Sequence, residues 1–261
     1  MNVPCSDKTG TLTEGTVKLQ FNILGVELGL SLIKLGEEAR VLLTTFSLEG
    51  SAHKGLRYTC NRLEREGLIF EVILSEKTPF LIPDLKRISD AWLANKNTRE
   101  KRFSLGFFKP EYLKNYPVGI VRKENKIIAF ANIWSGAGKE ELSLDLMRYL
   151  PESPHNIMEY LFTKLMLWGK EQGYVWFNLG MAPLSGLEDH HLAPLWNKLG
   201  TFIFRYGEHF YNFQGIRDYK KKFDPLWESK YMPSPGGMVL PRIFINIASL
   251  ISGDMKGIVT K

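Results

Sequence analysis

The sequence predicts a mixed α/β protein, and three features of its patterning carry that expectation. Helical apolar stripes alternate with short apolar runs between residues 21 and 96; two apolar runs flank a polar Lys-Glu-Asn-Lys break within residues 118–134; and a strand-like segment at 141–149 leads into a long amphipathic stretch and a further apolar run.

Taken in order, FNILGVELGLSLIKLG (21–36) places apolar residues on a broad helical face, and EEARVLLTTFSL (37–48) reads as a strand. KGLRYTCNRLEREG (54–67) is an amphipathic helix closed by Gly67, and LIFEVIL (68–74) is a second strand. PDLKRISDAWLANK (83–96) is a third helix, with Pro83 in the first turn, where its missing amide is not needed. This α-β-α-β-α string has few strands of its own and is expected to pack on something else. A second unit starts near Phe103. VGIVRKENKIIAFANIW (118–134) has the pattern of a β-hairpin. ELSLDLMRY (141–149) follows as a strand, with Leu142, Leu144 and Leu146 on one face and Ser143, Asp145 and Met147 on the other. NIMEYLFTKLMLWGKEQG (156–173) is a helix ending at Gly173, YVWFNLG (174–180) a strand, and HLAPLWNKLG (191–200) a shorter helix. The order β-β-β-α-β-α, hairpin first, is that of the acyltransferase fold typified by the GCN5-related N-acetyltransferases. Three segments are expected: a leader at 1–19, a partial acyltransferase-like α/β unit at 20–102, and an acyltransferase-like catalytic domain, one complete copy of the fold, at 103–261.

Composition sets outer bounds. A chain of 261 residues with 44% apolar and 24% charged residues is an ordinary globular sequence long enough to bury a large core. No apolar run reaches the length that spans a bilayer, and the start lacks the charged-then-apolar order of a signal peptide. Cys5 and Cys60 lie far apart, which argues against a disulfide scaffold and fits a reducing compartment. The excess of 34 Lys and Arg over 28 Asp and Glu, a net +6, permits contact with RNA or anionic lipid without requiring either.

The leader contains DKTGTLT, Asp7 to Thr13, which resembles the phosphorylation motif of P-type ATPases. An aspartyl-phosphate needs bound Mg²⁺ and further acidic and basic groups. No GDGxND-type motif follows to supply them, so Asp7 is expected to be inactive.

KLGEEARVLLTTFSLEG, ISDAWL, EKRFSLGFF, DLMRY, FNLGMAPLSG, FYNFQGIRDYKKKFDPLW and a Pro-Gly-Gly followed by LPR together resemble the catalytic domain of bacterial phosphatidylglycerol lysyltransferases, the multiple peptide resistance factor family, from about Phe21 to the C-terminus. The resemblance implies an aminoacyltransferase that moves an aminoacyl group, lysyl in the first instance, from charged tRNA to phosphatidylglycerol. It implies aminoacyl-tRNA as co-substrate with no cofactor, and action in the cytoplasm at the inner face of the cell membrane. It further implies no DNA partner, and a chain that completes the partial first unit. A non-catalytic remnant of such an enzyme is the alternative, and a P-type ATPase fragment is a third.

Such a transfer needs a group to guide the hydroxyl proton, positive charge near the developing oxyanion, and exclusion of water from a labile ester. By the resemblance, Asp145 and Arg148 of DLMRY are catalytic, Asp145 orienting the lipid hydroxyl and Arg148 holding a phosphate or developing negative charge. A structural Asp–Arg salt bridge explains the same residues. On a regular strand an i, i+3 pair points to opposite faces, so a shared site requires a bulge or a strand end between them. In GIRDYKKKFDPLW, Ile216, Tyr219 and Phe223 form an inward helical stripe with Lys220 beside it. Lys220 is therefore the third catalytic candidate, and Lys222 a substrate-binding one because Pro225 leaves the helical frame open. Gly180 and Ser185 of FNLGMAPLSG permit backbone to approach a ligand, although turn formation accounts for them equally well. Tyr112 reads as lining the substrate path or as aromatic packing, and Glu208 as recognising the aminoacyl amine or as an exposed loop carboxylate. His190 and His191 are adjacent rather than i, i+4, and no metal site is expected. RYLPESPHNIME lacks the glycine-rich loop that holds the pyrophosphate of acetyl-CoA, which disfavours that donor. PRIFINIASLI (241–251) reads as a short helix that either lies in the membrane interface or caps the core.

Overall fold

The computed structural model describes residues 29–95, 108–186 and 213–235. Its elements, in chain order, are β1 (Ser31–Leu42), α1 (Lys54–Arg65), β2 (Leu68–Ile73), α2 (Ile82–Asn95), the single turn α3 (Pro110–Leu113), β3 (Val118–Lys123), β4 (Lys126–Ser135), β5 (Glu141–Tyr149), α4 (Ile157–Glu171), β6 (Trp176–Pro183), α5 (Phe213–Lys221) and β7 (Leu226–Ser234). The described residues fall into two compact units, those between Val41 and Asn178 in one and residues 29–40 with those between Leu179 and 235 in the other.

The first of these units holds strands in the order β2-β3-β4-β5-β6. The β3–β4 turn is two residues long, Glu124 and Asn125, both at positive φ (48° and 62°), the conformation that matches the twist of a tight hairpin. β2 pairs antiparallel with β3 from Leu68↔Lys123 to Ile73↔Val118, while β5 and β6 run parallel over Glu141–Ser143 and Trp176–Asn178. The hairpin, third strand, helix and parallel strand follow one another as the acyltransferase fold requires. The backbone bonds of β2 go to β3, and these strands, on either side of residue 102, lie in one unit.

Helices cover both faces of this layer. Leu85 and Ile88 of α2 and Leu113 of α3 pack with Val118, Ile120, Ile127, Phe130, Leu146 and Leu150 in a fully enclosed cluster. Burial of that many large apolar side chains is the dominant stabilising contribution. On the opposite face glycines let α4 approach the sheet closely: a Cβ on Gly119 of β3 would stand 2.9 Å from Leu165 of α4, and one on Gly169 of α4 would stand 2.6 Å from Leu142 of β5. Buried Thr59 of α1 donates to Glu159 of α4 at 2.8 Å, so this face carries a satisfied polar contact as well.

In the other unit β1 pairs antiparallel with β7 from Ser31↔Ser234 to Arg40↔Leu226, with a bulge between Lys34 and Gly36. Buried Glu38 and Lys230 form an ion pair across this ladder. Residues 31–36, expected as the end of a helix, are strand, because the backbone groups of SLIKLG are taken up by a partner nearly 200 residues away. β1 also ends at Leu42, short of the expected strand, and Thr45 and Phe46 turn back to the Leu42 carbonyl. β7 has no counterpart among the sequence expectations. α5 begins at Phe213, three residues ahead of the expected Ile216–Phe223 helical stripe.

Candidate active site

Asp145 sits where β5 departs from regular pairing with β4. Ile133 pairs with Leu144 and Ala131 with Met147, so Asn132 alone faces both Asp145 and Leu146. This is a β-bulge, two residues against one, and it shifts the face of everything beyond it. Arg148, paired with Phe130, therefore shares a face with Trp134, Asn132 and Asp145. The condition for a common site on DLMRY is met geometrically. The same bulge overturns one expectation: Leu146 leaves the face of Leu142 and joins the α2 cluster beside Phe130, whereas Leu142 packs against α4 at Gly169.

Asn132, fully buried, closes the bulge. Its Oδ1 accepts the Leu146 amide at 2.6 Å, which fixes the amide orientation and leaves Nδ2 directed at the Tyr112 hydroxyl, 3.4 Å away. Trp134 Nε1 donates to the same hydroxyl at 2.9 Å, and Tyr112 in turn donates to Asp145 Oδ2 at 2.7 Å. Burial, and then the Asp145 carboxylate that accepts its proton, push the Tyr112 phenol well above its usual range, so it remains a protonated donor. Tyr116 lies against both rings, 4.9 Å from Tyr112 and 6.1 Å from Trp134 between centroids, completing an aromatic wall.

The second oxygen of Asp145 differs from the first. Oδ1 is buried, in a residue only 6% exposed, and has no hydrogen-bond partner. Native proteins rarely leave such an atom unmatched, since the cost is about 1–3 kcal/mol and greater for a charged group. Arg148 donates to the Met147 carbonyl at 3.0 Å, and its guanidinium lies 4.2 Å above the Trp92 ring of α2, a cation–π contact.

The remaining candidates lie in the other unit. Lys220 is 8% exposed, and its ammonium donates at 2.8 Å to each of the Gly180 and Met181 carbonyls. Gly180 has φ +80°, so a glycine is needed where β6 turns toward that lysine. Lys222 is exposed and lies 5.6 Å from the Tyr219 ring. Ser185 donates to the Ala182 carbonyl at 2.9 Å and to Glu37 at 3.3 Å. Glu37 joins Lys34, at 3.3 Å, to Arg217, whose guanidinium covers the Trp227 ring at 4.3 Å. Burial alone would raise the Glu37 carboxyl; Arg217 and then Lys34 outweigh it and hold the group below its ordinary value. Asp7, Glu208, the 191–200 segment and PRIFINIASLI lie outside the described residues.

The structure thus joins Tyr112 to Asp145 and puts Arg148 on the same face, while Lys220, Gly180, Ser185 and Lys222 belong to the second unit. Asn132, Trp134, Trp92, Glu37 and Arg217 carried no signal as site residues. An asparagine within the apolar run IIAFANIW, which a hairpin core would not otherwise bury, was the one available clue.

The profile of the family described as phosphatidylglycerol lysyltransferase, C-terminal, matches residues 13–233. The match begins before the expected boundary at Phe21, stops short of the C-terminus, and excludes Asp7. The phosphatidylglycerol lysyltransferase of Bacillus subtilis (strain 168) is 41% identical over 207 residues, covering 79% of this chain and 24% of that protein, so the chain spans about a quarter of the length of this relative. The solved structure of L-PGS from Bacillus licheniformis is 39% identical with a TM-score of 0.78, covering 90% of this chain and 71% of that one. The solved C-terminal domain of a lysylphosphatidylglycerol synthetase from Agrobacterium fabrum is 41% identical with a TM-score of 0.77, covering 88% and 69% respectively.

Proposed function

Since the chain belongs to the family of phosphatidylglycerol lysyltransferase C-terminal domains, we propose that it catalyses transfer of an aminoacyl group, lysyl by preference, from charged tRNA to a glycerol hydroxyl of phosphatidylglycerol. The observation that carries the reading is Asp145. One carboxylate oxygen is held by Tyr112, the other is buried without a partner, and the Arg148 cation stands on the same face.

In the proposed step the lipid hydroxyl attacks the ester carbonyl carbon of the aminoacyl-tRNA. A new ester bond forms to the glycerol oxygen, the bond to the ribose oxygen breaks, and the proton lost by the glycerol hydroxyl ends on the ribose oxygen. Asp145 Oδ1 accepts the hydrogen bond of the attacking hydroxyl and so aims its lone pair. Tyr112, kept protonated, fixes the carboxylate plane and takes no part as a base. Arg148, pre-set by the Trp92 ring, offers its fork of donors to a phosphate or to the developing oxyanion. Lys220 shapes the FNLGMAPLSG segment by binding its carbonyls, with Gly180 and Ser185 setting the backbone path there, and Lys222 contributes positive charge for a phosphate. The domain works at the inner face of the cell membrane, where its lipid acceptor lies. A covering chain beside β2 belongs to the same proposal, supported by Ile69 and Phe80, 58% and 82% exposed on and beyond that terminal strand.

The test incubates the folded protein with a panel of radiolabelled aminoacyl-tRNAs and vesicles of phosphatidylglycerol mixed with phosphatidylethanolamine, and separates the lipids. Label from lysyl-tRNA in a phosphatidylglycerol-derived product is expected. Folded protein that yields no labelled lipid from any donor would contradict the reading.

A further inference from the structure

We infer that Trp134 is a positioning residue for the transfer: its indole N–H, reaching Asp145 only through the Tyr112 hydroxyl, dictates which way that hydroxyl points its proton. The inference rests on the function proposed above, but its geometry stands independently.

A phenolic hydroxyl has one proton and two lone pairs, and an indole N–H can only donate. Trp134 at 2.9 Å therefore occupies one lone pair of Tyr112, and Asn132 Nδ2 at 3.4 Å faces the other. With both acceptor positions met by donors that cannot reverse, the Tyr112 proton has one place to go, Asp145 Oδ2 at 2.7 Å. The register brings these groups together. Trp134 and Asn132 are two apart on β4 and share a face, and the bulge opposite Asn132 carries Asp145 to that face. The consequence lies in Asp145: with Oδ2 permanently supplied, Oδ1 is the oxygen left for substrate, in one carboxylate rotamer. Without Trp134 the Tyr112 hydroxyl is free to rotate away from Asp145, and the carboxylate to turn with it.

A double-mutant cycle on the full-length protein separates this from ordinary packing. Trp134→Phe keeps an aromatic ring against Tyr116 and deletes only the donor. Because Trp134 acts on catalytic geometry, kcat should fall about tenfold with KM little changed, the size of one hydrogen bond in a charge-linked chain. In a Tyr112→Phe background, where the hydroxyl is already gone, the same substitution should cost less than about twofold. Equal losses in both backgrounds, or no loss in the parent, would overturn the inference. A second readout holds even if no lipid product forms. In ¹⁵N–¹H spectra the indole resonance identified by its disappearance in Trp134→Phe should shift upfield and exchange faster with solvent in Tyr112→Phe. An unmoved resonance would show that the bond does not exist, independently of whether the protein transfers lysine.

Discussion

Glu37 titrates against its neighbours. Its carboxyl is held below the ordinary value by Arg217 and Lys34 despite burial, so its ion pairs stabilise the folded state above the unfolded carboxyl's range near 4.5 and lose that contribution as pH falls through the depressed folded value. Glu37→Gln should accordingly flatten the acid limb of a plot of urea midpoint against pH below about 4.5, leaving the slope above pH 6 unchanged. An unaltered acid limb would show that other carboxylates govern it. Cys60 is buried and pushed up to about 11, chiefly by burial, so it should resist iodoacetamide at pH 8 in the folded protein and react on unfolding. With Cys5 replaced by serine, rapid alkylation of the native protein would contradict the burial of Cys60. Among the candidate residues, Asp145 and Arg148 were reachable from DLMRY by family resemblance alone, whereas Tyr112 read equally as lining a substrate path or as aromatic packing. Nothing in residue type distinguishes Asp145 from a structural carboxylate, and the unmatched Oδ1 is visible only in the fold. Trp134 was illegible, and Asn132 marked only by its polarity within an apolar run, because their significance depends on Tyr112, which comes from another element some twenty residues earlier in the chain.

Strands whose partners are close in sequence were legible: the β3–β4 hairpin and β5 fall where alternation and the Glu124-Asn125 turn put them. Elements fixed by distant partners were not. The leucines and isoleucine of SLIKLG fit a helical stripe as well as a strand, and pairing with β7 decides the matter. LWESKYMPS is half polar and carries Pro233, so it has none of the alternation that identifies a strand. The bulge in β5 is likewise a property of the pair β4–β5 rather than of ELSLDLMRY. Asn132→Ala removes the acceptor of the Leu146 amide and leaves a buried donor unmet, and should lower stability by about 1–3 kcal/mol in urea unfolding. A change under about 0.5 kcal/mol would mean that the bulge closes without Asn132. Gly36 makes a harder demand, since a Cβ there would stand 2.4 Å from the Ala182 carbonyl oxygen and 3.0 Å from the Leu184 nitrogen, both backbone atoms that cannot swing away. Gly36→Ala should cost about 3 kcal/mol, at the upper end of overpacking effects, and a neutral result would contradict the close approach of β1 to β6.

For the molecule as a whole, the sequence places the join between its parts near residue 102, whereas the compact unit containing the Asp145 site runs from Val41 to Asn178. Native-state amide exchange should therefore show β2 amides bonded to β3 opening together with β3–β5, as one cooperative block. Protection confined to residues beyond 103 would restore the earlier division. Among the described residues no helix is long and apolar enough to cross a membrane. In the proposed transfer the lipid hydroxyl is aimed by Asp145, and Asp145→Asn keeps the shape of that side chain while removing its charge and replacing one acceptor oxygen by a donor. The measurement is the initial rate of label transfer from lysyl-tRNA to phosphatidylglycerol vesicles by the parent and by Asp145→Asn, each matched for folded protein by circular dichroism and urea midpoint. Labelled lipid is expected from the parent, and a rate at least about a thousandfold lower from the variant, comparable to removing a principal catalytic group. A folded variant that makes lysylated lipid within a few-fold of the parent rate would contradict it.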